Sequence, residues 1–340
     1  MDVLSEVLRV VKLQSAMFYE GEFCAPWSLR SPPSRTIAPY LAPGAEHVII
    51  YHLLTEGRAW ARLEDGERVA LCAGEVVVCP HGDAHIIENG PPTKTVDMSQ
   101  ELDRILCQGL KPSLVGGGGE LTRFVCGYMA CEPRLSQVFL SGLPPLFKVR
   151  VRDDASGGWL ENSIRFSVSQ ADKPLAGGEA VLAKLSEALF VETLRRYIAD
   201  LPPEQTGWLA GARDSEVGKT LALMHRNPAH PWTLATLAKE ARVSRSVLAE
   251  RFRYYLKEPP IAYLTRWRLQ LGGQMLSSTS YSVAQIAAEV GYESEAAFNR
   301  AFKREFTIPP ARFRSQSRSG SGEAATPRKS SAPRSTDRAR

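Results

Sequence analysis

The stretch SRSVLAERFRYYLKEPPIAY at 244–263 returns 50 residues later as SEAAFNRAFKREFTIPPARF at 294–313. Phe252 matches Phe302, Arg253 matches Lys303, Pro259-Pro260 match Pro309-Pro310, and Tyr263 matches Phe313. A shorter segment precedes each copy, TLATLAKEA at 233–241 and SVAQIAAEV at 282–290. There the offset is 49, because Val243-Ser244 is one residue shorter than Tyr292-Glu293-Ser294. Self-similarity at such a period marks one supersecondary unit used twice. Here the unit reads helix, tight turn, helix.

Periodicity supports each part. Phe298, Phe302 and Phe306 recur every fourth residue, the stripe of one helical face. In the first helices a small residue follows the apolar ridge, Leu237-Ala238 and Ile286-Ala287, which lets a second helix cross closely. Gly291 suits a left-handed turn residue. Arg242 stands at the matching place, where that conformation costs about 1–2 kcal/mol, so a looser or differently shaped first turn is expected. Between the units, Ile261–Leu276 predicts a connecting helix. Its Gly272-Gly273 pair costs roughly 1 kcal/mol per residue against Ala and marks a close contact or a bend.

In the second helices, Val247, Leu248 and Phe252, then Ala297, Phe298, Ala301 and Phe302, are expected in the core. The remaining faces carry Arg245, Ser246, Ala249, Glu250 and Arg253 in the first unit. They carry Glu295, Ala296, Asn299, Arg300 and Lys303 in the second. These side chains suit base edges: Arg bonds guanine bidentately, Asn bonds adenine, Glu accepts from cytosine, and Ala touches a thymine methyl. A helix-turn-helix lays its second helix in the major groove, and two adjacent major grooves lie ~34 Å apart. The plainer alternative is a helical bundle with a solvated polar face. Two tandem copies in a basic segment favour duplex DNA.

Charge is divided along the chain. Residues 225–314 hold 14 Lys and Arg against 7 Glu and no Asp, whereas residues 1–224 hold 22 against 28 acidic residues. Only the back half is therefore expected to meet a polyanion. At 340 residues the chain suggests roughly two or three domains. The six cysteines, Cys24, Cys72, Cys79, Cys107, Cys126 and Cys131, form no Cys-x-x-Cys and no zinc-finger spacing. The start MDVLSEVLRV lacks the charged and apolar regions of a signal peptide. No run approaches the ~18 apolar residues of a membrane span. A reduced, cytoplasmic protein with no membrane contact is expected.

The front half has another texture. Residues 2–14 predict a short amphipathic helix with Val3, Leu4, Val7, Leu8 and Val11 on one side. From about 16 to 170, the runs HVIIYHLL, RAWARLE, ERVALC, EVVVCP, HIIEN, FVCGYM and IRFSV alternate with Gly, Pro and Asp, an all-β barrel or sandwich pattern. Gly116–Gly119 reads as a flexible loop, since no Lys-Ser/Thr follows to complete a phosphate cradle. Residues 178–201 predict a helix whose Leu182, Leu185, Leu189, Leu194, Tyr197 and Ile198 pack on the β domain or pair two copies. Residues 315–340, without aromatic or large aliphatic side chains, predict a disordered basic tail.

Residues 214–314 resemble the DNA-binding domain of AraC-type (AraC/XylS) bacterial transcription regulators. HPWTLATLAKEARVSRSVLAERFR, PPIAYLTRWRLQ and SVAQIAAEVGYESEAAFNRAFKREFTIPPARFR carry the resemblance. It implies that Ser246, Ala249 and Glu250 reach bases in the first unit, and Glu295, Ala296, Asn299 and Arg300 in the second. Arg242 departs from the usual turn glycine. In the front half, GEVVVCPHGDAHIIEN sets Gly74, Pro80, Gly82, His85 and Asn89 in a spacing that resembles the second signature of the cupin barrel. In cupin enzymes that His joins two further His and a Glu on a metal. With Gly57 as the closing glycine of the first signature, Ile50 holds the Glu place. None of Pro43, Gly44, Ala45 and Glu46 is His. A metal needs about three or four ligands in fixed geometry, so no metal, cofactor or catalytic residue is expected. His52, Trp60, His81 and His85 are instead the candidate lining of a small-molecule effector pocket. His85 has a second reading, as a side chain satisfying a strand-end carbonyl.

The expected architecture is α+β: an N-terminal all-β cupin-like sensing domain over 1–175 and a helical linker or dimer helix over 176–212. An all-α AraC-type DNA-binding domain follows over 213–314, with helix-turn-helix units near 233–254 and 282–304, then the tail at 315–340. The expected function is sequence-specific, DNA-binding transcription regulation under an unidentified small-molecule effector. Double-stranded promoter DNA, RNA polymerase and a second copy of the chain are the expected partners. The rivals are a cupin isomerase or dioxygenase with an appended DNA-binding domain, and a module whose helices bind protein.

Overall fold

Val48–Thr55 is buried without interruption, the pattern of a strand covered on both faces. The rest of the front half is arranged around it. The computed structural model describes residues 2–10, 14–42, 45, 47–91, 93–100, 113–130, 140, 142–170 and 176–322. In chain order the elements are α1 (Val3–Val10), β1 (Gln14–Cys24), β2 (Trp27–Ser31), α2 (Ser34–Leu41), β3 (Val48–Glu56), β4 (Arg58–Leu63), β5 (Val69–Cys72), β6 (Glu75–Cys79), β7 (His85–Asn89), β8 (Val96–Asp97), β9 (Ser113–Gly116), β10 (Leu121–Ala130) and β11 (Phe147–Arg150). Helices follow: α3 (Ala155–Ser169), α4 (Gly178–Ala199), α5 (Trp208–Arg213), α6 (Ser215–Arg226), α7 (Leu234–Ala241), α8 (Arg245–Leu256), α9 (Pro260–Ser278), α10 (Val283–Glu289), α11 (Glu295–Phe306) and α12 (Pro310–Gly322).

The strands form two sheets, ordered β11-β6-β3-β10-β1-β9 and β5-β4-β7-β2-β8. Phe23, Leu54, Val77 and Phe124 from the first meet Trp27, Ala61, Leu71 and Ile87 from the second in one apolar interior. The other face of the six-stranded sheet is covered by α3 and α4. Ile49, Tyr51, Val76 and Met129 share a core there with Ile164, Leu189 and Phe190. Gly127 makes room for this crossing, because a Cβ there would lie 2.0 Å from the Tyr51 hydroxyl oxygen. That hydroxyl is bonded to Ser186 of α4. The helix over 178–201 thus packs on the β domain, the first of its two expected roles.

Three expectations are corrected. Ile164–Val168 of the IRFSV run lies inside α3, where Ile164 and Val168 are buried at helical spacing. Its β-branched residues misled because a buried helical run and a short strand look alike in sequence. Ser34–Leu41, within the region read as all β, is also helical. The Gly116–Gly119 run is an exposed loop whose backbone is tied to the end of β1. Gly117 and Gly119 donate N–H bonds to the Cys24 and Ala25 carbonyls at 2.8 and 2.9 Å, and a Cβ on Gly119 would lie 2.6 Å from the Ala25 carbonyl oxygen. Finally, α12 continues to Gly322, past the expected end of the helical domain at 314. Residues 323–340 of the expected tail lie outside the described residues, as do Cys107 and Cys131.

The amphipathic N-terminal helix is α1, and residues 11–13 of the expected span lie outside the described residues. It docks on α6 of the helical half rather than on a sheet. Val3 and Val7 are buried in that contact, and the buried Glu6 carboxylate accepts from Arg226 Nε at 3.0 Å. Among the described residues, no helix is long and apolar enough to cross a membrane.

Candidate nucleic-acid interface

Each helix-turn-helix is written into its caps. Thr233 and Thr236 form a capping box at the start of α7, and Ser282 and Gln285 do the same for α10. Ser244 and Ser294 cap α8 and α11, each accepting at 3.2 Å from the N–H three residues on. The turns between the helices begin alike. Arg242 has φ 61° and Gly291 φ 84°. Val243 N donates to Ala238 O at 3.0 Å, and Tyr292 N to Ala287 O at 2.8 Å. The first turn is therefore not looser at its start, but it reaches the next helix cap, Ser244, one residue sooner than the second reaches Ser294, and so differs in shape. Space explains the different residues. A Cβ on Gly291 would lie 2.7 Å from Ala229 Cα, whereas Arg242 points into solvent.

Leu237, Ala238, Leu248 and Phe252 form the buried side of the first unit; Ile286, Ala287, Phe298 and Phe302 form that of the second. Val247 is a correction: it is 39% exposed and lies outside the core. Ala297 and Ala301 are only half-buried. Helix α9 holds the two units together, with Tyr263, Leu264 and Trp267 in its core face. Gly272 is the close contact that its sequence position suggests, since a Cβ there would lie 2.8 Å from Phe298 Cζ.

The outward faces then stand clear. Arg245, Ser246, Glu250 and Arg253 are exposed on α8, with Ala249 half-buried; Glu295, Ala296, Arg300 and Lys303 are exposed on α11, with Asn299 half-buried. Asn299 makes a 3.5 Å contact with Glu295 Oε1. Among the described residues none of Arg245, Arg253, Arg300 and Lys303 belongs to an ion pair. The neighbouring cations do: Arg251 with Asp214 and Glu216, Arg266 with Glu258, and Arg226 with Glu6. The outward cations are thus available to an external anion.

Sequence reasoning missed what holds α8 in place. Asp214 caps α6, accepting from Glu216 N at 3.1 Å and Val217 N at 2.9 Å, and also takes the Arg251 guanidinium. Burial pushes its carboxyl up, but these bonds outweigh that and hold it below the ordinary value. Behind α8 and α9, Trp208 Nε1–H donates to the Tyr263 hydroxyl at 2.8 Å. That hydroxyl lies 2.7 Å from His225 Nε2 and, already accepting, donates to it. Burial lowers the His225 pKa to about 3.

In the front domain the four candidate pocket residues do not converge. His52 and His85 face each other between the sheets, Nε2 to Nε2 at 2.7 Å. Trp60 is 41% exposed on β4, and His81 is exposed with Nε2 3.0 Å from Leu143 O. Register explains part of this, because Cys126, His52 and Val77 are lateral neighbours on β10, β3 and β6. His85 Nδ1–H donates to the Asp83 carbonyl at 2.9 Å. Its bare Nε2 then accepts from His52 Nε2–H, and His52 Nδ1 accepts from the Cys126 thiol. This tautomer assignment follows from the bonding. Burial, joined at His52 by the neighbouring His85, keeps both imidazoles neutral, and burial pushes the Cys126 thiol up. Among the described residues no group of three His, Cys, Asp or Glu could hold a metal. With Ile50 at the Glu place, the cupin-enzyme ligand set does not fit.

A double-sheet front domain joined to two stacked helix-turn-helix units defines a DNA-binding regulator. Family comparison agrees. Residues 2–199 match a cupin family and residues 237–316 a helix-turn-helix domain family. The HTH-type transcriptional regulator AlkR of Acinetobacter baylyi is 30% identical over 80% of this chain and 90% of its own. The RCS-specific HTH-type transcriptional activator RclR of Escherichia coli is 30% identical over 94% of this chain and 99% of its own. An AraC-type DNA-binding-domain protein of Chromobacterium violaceum has a solved structure that is 30% identical over 32% of this chain and 96% of that one, with a TM-score of 0.30. The chain belongs to the AraC-type family of DNA-binding transcription regulators, with a cupin domain in front.

Proposed function

We propose that α8 and α11 enter successive major grooves of a promoter duplex. Ser246, Ala249 and Glu250 then meet base edges in one groove, and Glu295, Ala296, Asn299 and Arg300 in the next. Arg245, Arg253 and Lys303 meet phosphates. Phosphate contacts give the salt-dependent share of affinity and base contacts the sequence-dependent share. The observation that carries this reading is the row of exposed cations without protein partners, beside paired cations elsewhere in the same domain. An effector bound to the chain, a second copy and RNA polymerase complete the regulatory circuit, in the cytoplasm where the promoter is. The protein acts as a switch rather than an enzyme: its full-length relatives are regulators, and its cupin ligand set is incomplete. Lys303→Ala tests the phosphate assignment. Affinity is expected to fall evenly across sequences and the log-log salt slope to flatten by about 1. A loss confined to one base position contradicts it.

A further inference from the structure

Two recognition helices reach two grooves together only if their units keep one spacing and one rotation. Helix α8 packs on α9, and so do α10 and α11, with no extensive contact from one unit's helices to the other's. A single shared helix fixes distance better than angle, because packed helices slide and rock. A second connection is found at the loop 227–232, which leads into α7. Gly291, which opens the second turn, comes so close to this loop that a Cβ there would lie 2.7 Å from Ala229 Cα.

Arg268 of α9 laces that contact. Its Nε–H donates to Pro228 O at 2.7 Å, and its terminal nitrogen to His230 O at 2.8 Å. The same nitrogen would lie 2.9 Å from a Cβ on Gly291. One guanidinium thus holds the entry loop of the first unit and lies against the turn of the second. The loop is itself stiff: Trp232 Nε1–H donates to Asn227 O at 3.0 Å, and Trp232 N–H to His230 O at 2.7 Å. A pull on Pro228 and His230 therefore carries over to Thr233, the cap of α7. Among the described residues no carboxylate pairs with Arg268. Burial disfavours its charge and lowers its pKa from the ordinary value. A lone, half-buried charge adds little stability there. The planar fork, gripping two carbonyls of one loop at once, supplies geometry.

We propose that Arg268 is a positioning residue, locking the first helix-turn-helix unit to the second at the spacing and rotation of adjacent grooves. The proposal rests on the two-groove reading above. Arg268 contacts no base in it, since its bonds go to the backbone of its own domain. One base pair inserted between the two blocks of a site moves the second block by ~3.4 Å and ~35°. Locked units cannot follow that shift, whereas units joined by α9 alone can.

The test uses the full chain and the tightest duplex selected from a random pool, with copies carrying one base pair inserted or removed between the blocks. For the unaltered chain either change is expected to weaken binding by about tenfold or more. In Arg268→Met the loss is expected to shrink to about threefold, while affinity for a duplex carrying one block alone stays as in the unaltered chain. Arg268→Lys is gentler on folding, keeps the charge and gives up the fork, and is expected to shift the same way. Thermal melts show which variants are folded. A full loss retained in a folded variant overturns the role of Arg268 and leaves the two-groove reading standing. So does a log-log salt slope flattened by about 1 in Arg268→Met at unchanged spacing preference, the mark of a phosphate contact. An unaltered chain indifferent to spacing overturns the two-groove reading itself.

Discussion

At the residue scale, Arg242 and Gly291 show that one backbone shape can carry different side chains where the surroundings differ. Both turns are left-handed, but only Gly291 is pressed against Ala229. Arg242→Gly is expected to stabilise the chain by about 1 kcal/mol, because it removes the left-handed penalty. Gly291→Ala is expected to cost more than that penalty, because its Cβ overlaps backbone. Thermal melts of the two variants check this, and equal effects would refute the spatial explanation. Arg300→Ala is expected to relax preference at one base position and weaken binding by about 1–3 kcal/mol. A uniform loss over all sequences would move Arg300 to a phosphate. The sequence pointed to these outward residues because the helical period fixes faces. It misplaced Val247, whose apolar character suggested a core that the neighbouring helices do not extend to cover.

At the element scale, α8 is held by charge and α9 by a buried polar chain. Asp214→Ala removes both a helix cap and the main partner of Arg251, and is expected to cost about 2 kcal/mol. The His225 site adds a pH dependence. Its folded-state value near 3 lies below the unfolded value of about 6.5. As pH falls, the unfolded chain takes up the proton first. The stability from this site is therefore complete above about 6.5 and drains between there and about 3, with ~2 kcal/mol gone at pH 5. His225→Gln is expected to shrink the Tm difference between pH 7 and 5 relative to the unaltered chain. An unchanged difference would mean His225 does not titrate in this way. None of this was legible in sequence, since Trp208, His225 and Tyr263 are separated by ordinary helix and meet only through packing. The repeat, in contrast, was legible because both copies carry the same caps, ridge and proline pair.

At the scale of the whole molecule, the two halves are not simply strung together. Helix α1 belongs to the front by sequence and to the DNA-binding half by contact, through Val3, Val7 and Glu6. Amphipathicity showed that α1 has a buried face but could not show what buries it. Val7→Asp, which places a charge in that contact, is expected to raise amide exchange in α6 while leaving exchange in the central strands β3 and β10 unchanged. Equal protection of α6 in both chains would show that α1 docking contributes nothing. The cupin-like front was legible from His85 and its glycines, whereas the closure of His52 on His85 depended on strand register across two sheets.

The central claim is that two recognition helices read one duplex together. Selection of bound duplexes from a random pool by the full chain tests it most directly. Two conserved blocks about 10 bp apart on one face of the helix are expected, with Asn299→Ala altering only one block. A single block, or no enrichment over random competitor, would contradict it.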